Sequence, residues 1–246
     1  MATFFVSPDD IRQIYTEKWG SAITKATNGR IKFRYFPAGQ LVKAKEISDA
    51  LNAGIIDATT WFVYGYTAED YPFLSLTSQW PLAFPNTLEA HQGVTRDVYE
   101  LIVGPLKQHN IKYCWGMVPS YGGEWFCSEP WDPKDLTRNF KNKKWRVGGG
   151  LTIPTRALLK YLGAQQVAMS APEIYEAAQR GLIYGCSQGF SQYAHTHIYE
   201  VFPHMLELNV TWNTIGGLPC VIRLDLFNSF PKDIQRQIMD ASREIE

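Results

Sequence analysis

A twelve-residue pattern occurs twice in the sequence, 127 residues apart, and it limits the possible folds more than any other feature. Residues 46–57 read EISDALNAGIID and residues 173–184 read EIYEAAQRGLIY. Each copy is typical of a short amphipathic helix that ends at a glycine and leads into an apolar strand, and a predicted strand, 31–36 or 166–169, precedes it. Strand, helix and strand make a βαβ unit, so we expect an α/β protein with two similar lobes and a ligand cleft at the carboxyl ends of their strands. The alternative is a chance similarity between two helix ends.

The composition argues against several kinds of partner. Lysine plus arginine and aspartate plus glutamate each number 24, so the formal net charge is zero and no long-range field would hold a nucleic acid. No run of apolar residues is long enough for a membrane span. The four cysteines, Cys114, Cys127, Cys186 and Cys220, include no C-x-x-C pair, so we expect no zinc or redox site, although one disulfide stays open. The glycines at 148–150 fit neither a dinucleotide nor a phosphate loop, and we predict no cofactor.

Arg146 is the strongest candidate for a ligand-binding residue. It lies at the start of a predicted short strand that leads into a glycine-rich turn and a helix beginning at Pro154. A helix N-terminus offers free N–H groups, and a guanidinium beside it can hold a carboxylate by two parallel charge-assisted bonds. An ion pair between Arg146 and an acidic residue of the chain itself is an equally weighted alternative.

Two motifs indicate catalysis or metal binding more weakly. Gly185–Gly189 (GCSQG) matches the G-x-S-x-G nucleophile elbow, which makes a serine esterase built on Ser187 the alternative function. No acid and histidine follow Ser187 at a spacing that suits a catalytic triad, so we favour a glycine-bounded strand exit and predict that the chain is not an enzyme. His195 and His197 with Glu200 imitate a metal site, but we predict a polar surface and no metal.

Motifs along the whole chain resemble those of one known family. Residues 27–41 (TNGRIKFRYFPAGQL), 144–146, 162–164 and 227–235 are similar, in order and spacing, to motifs of the solute-binding proteins of TRAP (tripartite ATP-independent periplasmic) transporters, the DctP-like group. The resemblance implies a two-lobed periplasmic-binding-protein fold. It also implies a periplasmic protein that closes on a small organic acid and delivers it to the membrane permease subunits of the transporter.

The resemblance further implies which residues contact the ligand. Arg146 would hold the carboxylate, Ser187 and Gln188 would make polar contacts, and tryptophans would wall the pocket. Some relatives carry a Glu-Trp pair in place of Ser187 and Gln188, and others a second arginine near Glu124, so a monocarboxylate is favoured here over a dicarboxylate or sialic acid. The full set of predicted ligand-binding residues is Asp9, Trp61, Phe62, Tyr121, Glu124, Trp125, Arg146, Ser187, Gln188, Trp212 and Asn213.

The lobes are predicted to divide the chain in three parts. Residues 1–118 are mainly lobe I, residues 119–210 mainly lobe II, and residues 211–246 a crossover strand and a C-terminal helix that return toward lobe I. Both ends of the chain look cut, so we expect a fragment whose signal peptide lies outside this sequence. A ligand-sensing ectodomain with the same binder fold is a further alternative, because only flanking segments separate it from a transport protein.

Overall fold

The computed structural model describes most of the chain. The described residues are 1–3, 8–43, 46–60, 87, 89–90, 93, 101, 103–117, 123–147, 153–169, 173–208 and 218–245. The helices are α1 (Ile11–Ala26), α2 (Ile47–Asn52), α3 (Thr137–Phe140), α4 (Ile153–Tyr161), α5 (Ile174–Gln179), α6 (Phe190–His195), α7 (Leu224–Ser229) and α8 (Lys232–Ile245); residues 103–108 are also helical. The strands are β1 (Ala58–Thr59), β2 (Ile111–Met117), β3 (Gly123–Cys127), β4 (Lys144–Val147), β5 (Gln165–Val167), β6 (Gly185–Ser187), β7 (His204–Leu208) and β8 (Leu218–Arg223).

The described residues fall into two compact units. Unit 1 takes those within 1–77, 92–119 and 215–246, and unit 2 takes those within 78–91 and 120–214. The residues around the predicted lobe boundaries at 118 and 210 lie outside the described part of the chain, so these boundaries stay a prediction.

Unit 2 is built on a five-stranded mixed sheet in the order β5-β4-β6-β3-β7. β4 pairs in parallel with β5 on one side and β6 on the other, whereas β3 pairs antiparallel with β6 and β7. The chain runs from β5 through α5 to β6 in the same direction, and β4 lies between the two strands. The second predicted βαβ unit is therefore confirmed, with its first strand at 165–167 instead of 166–169.

Unit 1 has an antiparallel sheet in the order β1-β8-β2, extended by single parallel bridges. Ala2 bridges both Thr59 and Phe36, which gives the same parallel three-way arrangement as β5, β4 and β6. The strand predicted over 31–36 is wrong in its length, because only Phe36 forms a bridge within the described chain. Within residues 31–36, the described residues 1–3 form backbone hydrogen bonds only with Arg34 and Phe36.

The two copies of the repeat adopt the same local structure. α2 and α5 both have six residues and occupy equivalent positions in the pattern. The glycine after each helix has a positive φ, 69° at Gly54 and 64° at Gly181, a left-handed conformation that glycine adopts without strain. After each glycine the next N–H reaches back to a helix carbonyl, from Ile55 to Ala50 and from Leu182 to Ala177, both at 2.9 Å.

The first helix is capped and oriented differently from the sequence pattern. We expect from the pattern a Ser7 cap and an apolar face that includes Ile11 and Tyr15; Ser7 lies outside the described residues, and the observed cap is Asp10, whose side chain accepts from the Arg12 N–H. Ile11 is 48% exposed and Tyr15 38% exposed. The helix instead buries a largely polar face made of Arg12, Gln13, Thr16, Trp19, Gly20 and Ile23.

No helix in the described part of the chain is both long and apolar enough to cross a bilayer.

The four cysteines are buried, and their thiols are free. Burial raises the pKa of Cys114 and Cys186 to about 12 and that of Cys127 to about 11, and it raises the pKa of Cys220 as well. Because the thiolate is the reactive form, we expect the native chain at pH 8 to react with none of its thiols in a dithionitrobenzoate assay, and the urea-unfolded chain to release four equivalents. A native thiol that reacts as fast as the unfolded chain would contradict this burial.

Candidate ligand-binding site

β4 places Arg146 on the opposite face of the unit 2 sheet from the aromatic core. Successive side chains of a strand alternate between faces, so Trp145 and Val147 enter the core cluster while Arg146 points the other way. The register aligns Arg146 with Val167 of β5 and Cys186 of β6. Strands on both sides hold the β4 backbone, so the base of the arginine side chain is fixed.

Three acceptors orient the Arg146 guanidinium. Its Nε donates to the Met169 carbonyl at 3.2 Å, and its Nη1 donates to the Ser187 carbonyl at 3.3 Å and, more weakly, to Gln188 Oε1 at 3.5 Å. All three acceptors are neutral oxygens, and they position the guanidinium. Met169 follows β5, Ser187 ends β6 and Gln188 follows β6. The guanidinium therefore lies at the carboxyl ends of the parallel strands, where open α/β sheets bind ligands.

Gln188 is buried beside the arginine, and only 2% of it is exposed. Its backbone N–H donates to the Glu124 carbonyl at 3.1 Å, which continues the β6–β3 pairing beyond Ser187. Its Nε2 has no hydrogen-bond partner among the described residues. A buried amide donor without a partner is unusual in folded proteins and needs an explanation.

Ser187 has neither the backbone nor the exposure of a nucleophile elbow. It is the last residue of β6, pairs with Val147 and Trp125, and is fully buried. An elbow serine stands on a sharp turn after the strand with its hydroxyl exposed. Ser187 contributes a carbonyl oxygen to the Arg146 contacts instead, and this placement argues against the esterase alternative.

Glu124 and Trp125 are neighbours in β3 and lie on opposite faces of the sheet. Glu124 is buried on the same face as Phe126 and Arg146. Trp125 is fully buried, and its ring centroid lies 5.4 Å from that of Phe140 and 5.3 Å from that of Trp145. Strand alternation therefore puts Trp125 in the core instead of the predicted pocket wall.

The other predicted contacts are exposed or outside the described residues. Asp9 is exposed in the turn before α1, and the buried acid of this pair is Asp10. The predicted ligand residues that lie outside the described part of the chain are Trp61, Phe62, Tyr121, Trp212 and Asn213.

Several buried polar groups in unit 1 were missed by the sequence reasoning. The Thr3 hydroxyl donates to Gln13 Oε1 at 2.8 Å, and Arg12 forms an ion pair with Asp10 at 2.5 Å. Thr60, just past β1, is buried, and its hydroxyl has no partner among the described residues. The sequence repeat could have singled out Thr60, because Thr60 is the residue that corresponds to Ser187 at the 127-residue offset of the two copies.

A cavity of about 450 Å³ lies in unit 1, between residues 30–34 and the apolar side chains of Ile222, Leu226 and Ile238. Of the described residues predicted to bind ligand, none lines it. It therefore does not belong to the Arg146 site.

The segment with the paired histidines is an exposed polar surface, as favoured from the sequence. His195 ends α6, and His197 follows in a left-handed conformation with φ 54°. The Glu200 carboxylate accepts from the Tyr175 hydroxyl at 2.6 Å, and His197 Nδ1 lies 3.7 Å from the same carboxylate. In the described part of the chain, no group of three or more potential ligands is arranged to hold a metal ion.

Comparison with known proteins decides the family. The model of the DctP family, bacterial extracellular solute-binding protein family 7, matches residues 2–246. The chain belongs to this family. The resemblance identified from the sequence motifs is thereby confirmed, and the family match covers both units.

Curated relatives match this chain over part of their own length. The uncharacterized protein YiiZ of Salmonella typhimurium is 29% identical over 173 residues, which is 68% of this chain and 49% of that protein. A solute-binding protein of Sulfitobacter sp. NAS-14.1 is 32% identical over 107 residues, 43% of this chain and 31% of that protein. A protein of Nostoc sp. PCC 7120, named a monocarboxylate 2-oxoacid-binding periplasmic protein, is 24% identical over 94% of this chain and 61% of its own length. The chain thus spans from a third to under two thirds of the length of these relatives.

Solved structures confirm the fold expected for a DctP-family protein. A TRAP periplasmic solute-binding protein from Sulfitobacter sp. NAS-14.1 with bound β-D-galacturonate superposes with a TM-score of 0.83 at 18% identity, over 99% of this chain and 78% of that one. DctP7 of Bordetella pertussis, an extracytoplasmic solute receptor binding pyroglutamic acid, gives 0.83 at 13% identity, over 100% and 77%. The chain has the two-lobed α/β fold of these proteins, as predicted.

Proposed function

We propose that the chain is the periplasmic solute-binding component of a TRAP transporter. It binds a small organic acid, preferably a monocarboxylate, through Arg146 and delivers it to the membrane permease subunits. It carries out no reaction on the acid. The family match supports a solute-binding role, and relatives named as periplasmic proteins support the location.

The observation that carries the proposal is the placement of Arg146. A guanidinium that is only 5% exposed is costly to bury unless it meets charge-bearing or polar partners. The contacts from Met169, Ser187 and Gln188 hold the guanidinium in place at the carboxyl ends of the parallel strands. Such a pre-oriented arginine binds a carboxylate with little further loss of side-chain entropy.

The preference for one carboxylate rests on the acidic side chain that β3 adds on the Arg146 face of the unit 2 sheet. Glu124 adds an acidic side chain to the same face of the sheet as Arg146. An additional ligand carboxylate on this face would therefore meet an acidic side chain of the described chain.

A thermal-shift screen against organic acids tests the proposal. At least one acid is expected to raise the melting temperature of the chain, because a ligand that binds only the native state stabilises it. Arg146→Ala should weaken binding of that acid at least about 30-fold, since losing one partner of a buried charge pair costs about 2 kcal/mol or more.

The matched control is Arg138→Ala, which removes an exposed arginine of the same unit from a surface contact with Asp132. We expect it to bind like the unsubstituted chain. Equal weakening by both substitutions, or none by Arg146→Ala, would remove Arg146 from the proposed role.

A further inference from the structure

Cys114 and Cys220 face each other across two neighbouring strands of unit 1. β2 and β8 pair antiparallel, and their register shifts between Tyr113 and Trp115. The shift is a β-bulge at Cys114, where two residues of one strand lie opposite one residue of the other. Trp115 is aligned with Cys220, so Cys114 and Trp115 share the position opposite it.

Both thiols also lie on the same face of the sheet. Tyr113 and Trp115 would share a face in a regular strand, but they belong to different core clusters because of the bulge. Cys114 and Cys220 both belong to the cluster of Trp115. The neighbouring Cys114 adds to the rise that burial causes in the pKa of Cys220. Facing residues of an antiparallel pair have Cα atoms about 4.5–5.5 Å apart, within the range of about 4.4–6.8 Å that a disulfide spans.

Cys127 and Cys186 of unit 2 are also on neighbouring strands, but they cannot bridge. Cys127 of β3 is aligned with Gly185 of β6, one residue before Cys186. Cys127 packs in the cluster of Trp145, whereas Cys186 packs in the cluster of Phe126. These clusters lie on opposite faces of the sheet, so the sheet backbone separates the two thiols.

We propose that Cys114 and Cys220 form a disulfide that joins β2 to β8, while Cys127 and Cys186 stay reduced. The chain leaves unit 1 after β2 and returns to it in β8, so the bond closes a loop that contains the described residues within 120–214. Because the native thiols are buried, the bond forms before the core closes, during folding. The periplasm, which is the proposed location, is an oxidising compartment in which such bonds persist.

The step is a two-electron exchange with a second disulfide, for which oxidised glutathione serves as the reagent. One cysteine thiolate attacks a glutathione sulfur, which breaks the S–S bond and releases one reduced glutathione. The other cysteine thiolate then attacks the protein sulfur of this mixed disulfide and releases the second reduced glutathione. The two cysteines lose two protons and two electrons, and the two glutathione thiols take them up.

Oxidative refolding of the full chain tests the inference. The chain is reduced and unfolded in urea, refolded by dilution into a mixture of oxidised and reduced glutathione, and then alkylated in denaturant. Peptide mapping by mass spectrometry identifies the alkylated and the joined cysteines. We expect alkylation of Cys127 and Cys186 only, and one pair of peptides joined through Cys114 and Cys220. Four alkylated cysteines, or a bond between any other two, would overturn the inference.

This mapping uses the unsubstituted chain and needs no ligand, so its outcome is separate from that of the test of Arg146. Urea denaturation adds a second measurement. The oxidised chain should have an unfolding equilibrium constant at least about 30-fold smaller than the same chain in dithiothreitol, because the bond restricts the unfolded chain. The matched control Cys127→Ala should show the same difference and Cys114→Ala none. A difference that persists in Cys114→Ala would contradict the proposed bond.

Discussion

Gly185→Ala is expected to cost at least about 3 kcal/mol of the free energy of unfolding. An added Cβ at this position would lie 2.5 Å from the Phe126 carbonyl oxygen and 2.5 Å from the nearest ring atom of Trp145. The carbonyl belongs to β3, which is paired on both sides, and the tryptophan is fully buried. Neither neighbour can give way without displacing the sheet that presents Arg146, so the affinity for ligand should fall with the stability.

Urea denaturation measures this loss, because the midpoint falls while the slope of the transition stays similar. Gly104→Ala is the matched control, since a Cβ on that helical glycine would meet no atom within 4 Å. It should leave stability unchanged or raise it by about 0.5–1 kcal/mol. If Gly185→Ala proved as stable as Gly104→Ala, the close packing of β6 against Trp145 would be refuted.

Trp145→Ala is the second substitution with a large expected effect, a loss of about 3–5 kcal/mol. The Trp145 ring stacks on the Phe140 ring with 4.6 Å between the ring centroids, and it packs edge to face against the Trp125 ring with 5.3 Å between the centroids. Its Nε1 also donates to the Asn139 carbonyl at 3.0 Å, and the substitution leaves this buried acceptor without its donor. Trp145 thus anchors one face of the strand whose other face carries Arg146.

The control is Trp131→Ala at the half-buried edge of the same cluster. Its indole makes a longer hydrogen bond, 3.4 Å to the His204 carbonyl, so the loss should be clearly smaller. Both variants are compared by urea denaturation at equal protein concentration. A Trp145→Ala midpoint equal to that of Trp131→Ala would show that the cluster is not the main support of β4.

The helix-and-turn structure of the two repeats could be predicted from the sequence because the residues that determine it are close together in the chain. In each copy, the apolar helix face and the glycine with positive φ, Gly54 or Gly181, lie within a few residues of each other. The strand expected over 31–36 shows the limit of this reasoning. Alternation of side chains predicts an extended segment, but whether it becomes a strand depends on which backbone lies beside it.

The errors in α1 and β3 have tertiary causes. The buried face of α1 holds Arg12 and Gln13, whose polar groups are satisfied by Asp10 and Thr3, and hydrophobic periodicity cannot detect pairs of this kind. The two predicted contacts in β3, Glu124 and Trp125, are consecutive, and consecutive strand residues face opposite sides. One of them had to lie away from Arg146, and only the sheet register decided which.

The residues of the candidate site were predicted on two different grounds. The charge and position of Arg146 were evident from the sequence, whereas Ser187 and Gln188 came from the family resemblance. Their contacts with Arg146 depend on the alignment of β4 with β6, which no local pattern encodes. Thr60 belongs to unit 1, and only a comparison of the two repeats could single it out.

Calorimetric titration of one bound acid and of its primary carboxamide, with the unsubstituted chain and with Arg146→Ala, tests the contact between Arg146 and the carboxylate most directly. The carboxamide keeps the shape of the acid and lacks its charge, so the ratio of the two affinities reports what the guanidinium recognises. We expect the unsubstituted chain to prefer the acid by at least about 10-fold and Arg146→Ala to bind the two alike. An undiminished preference for the acid in Arg146→Ala would mean that another group holds the carboxylate.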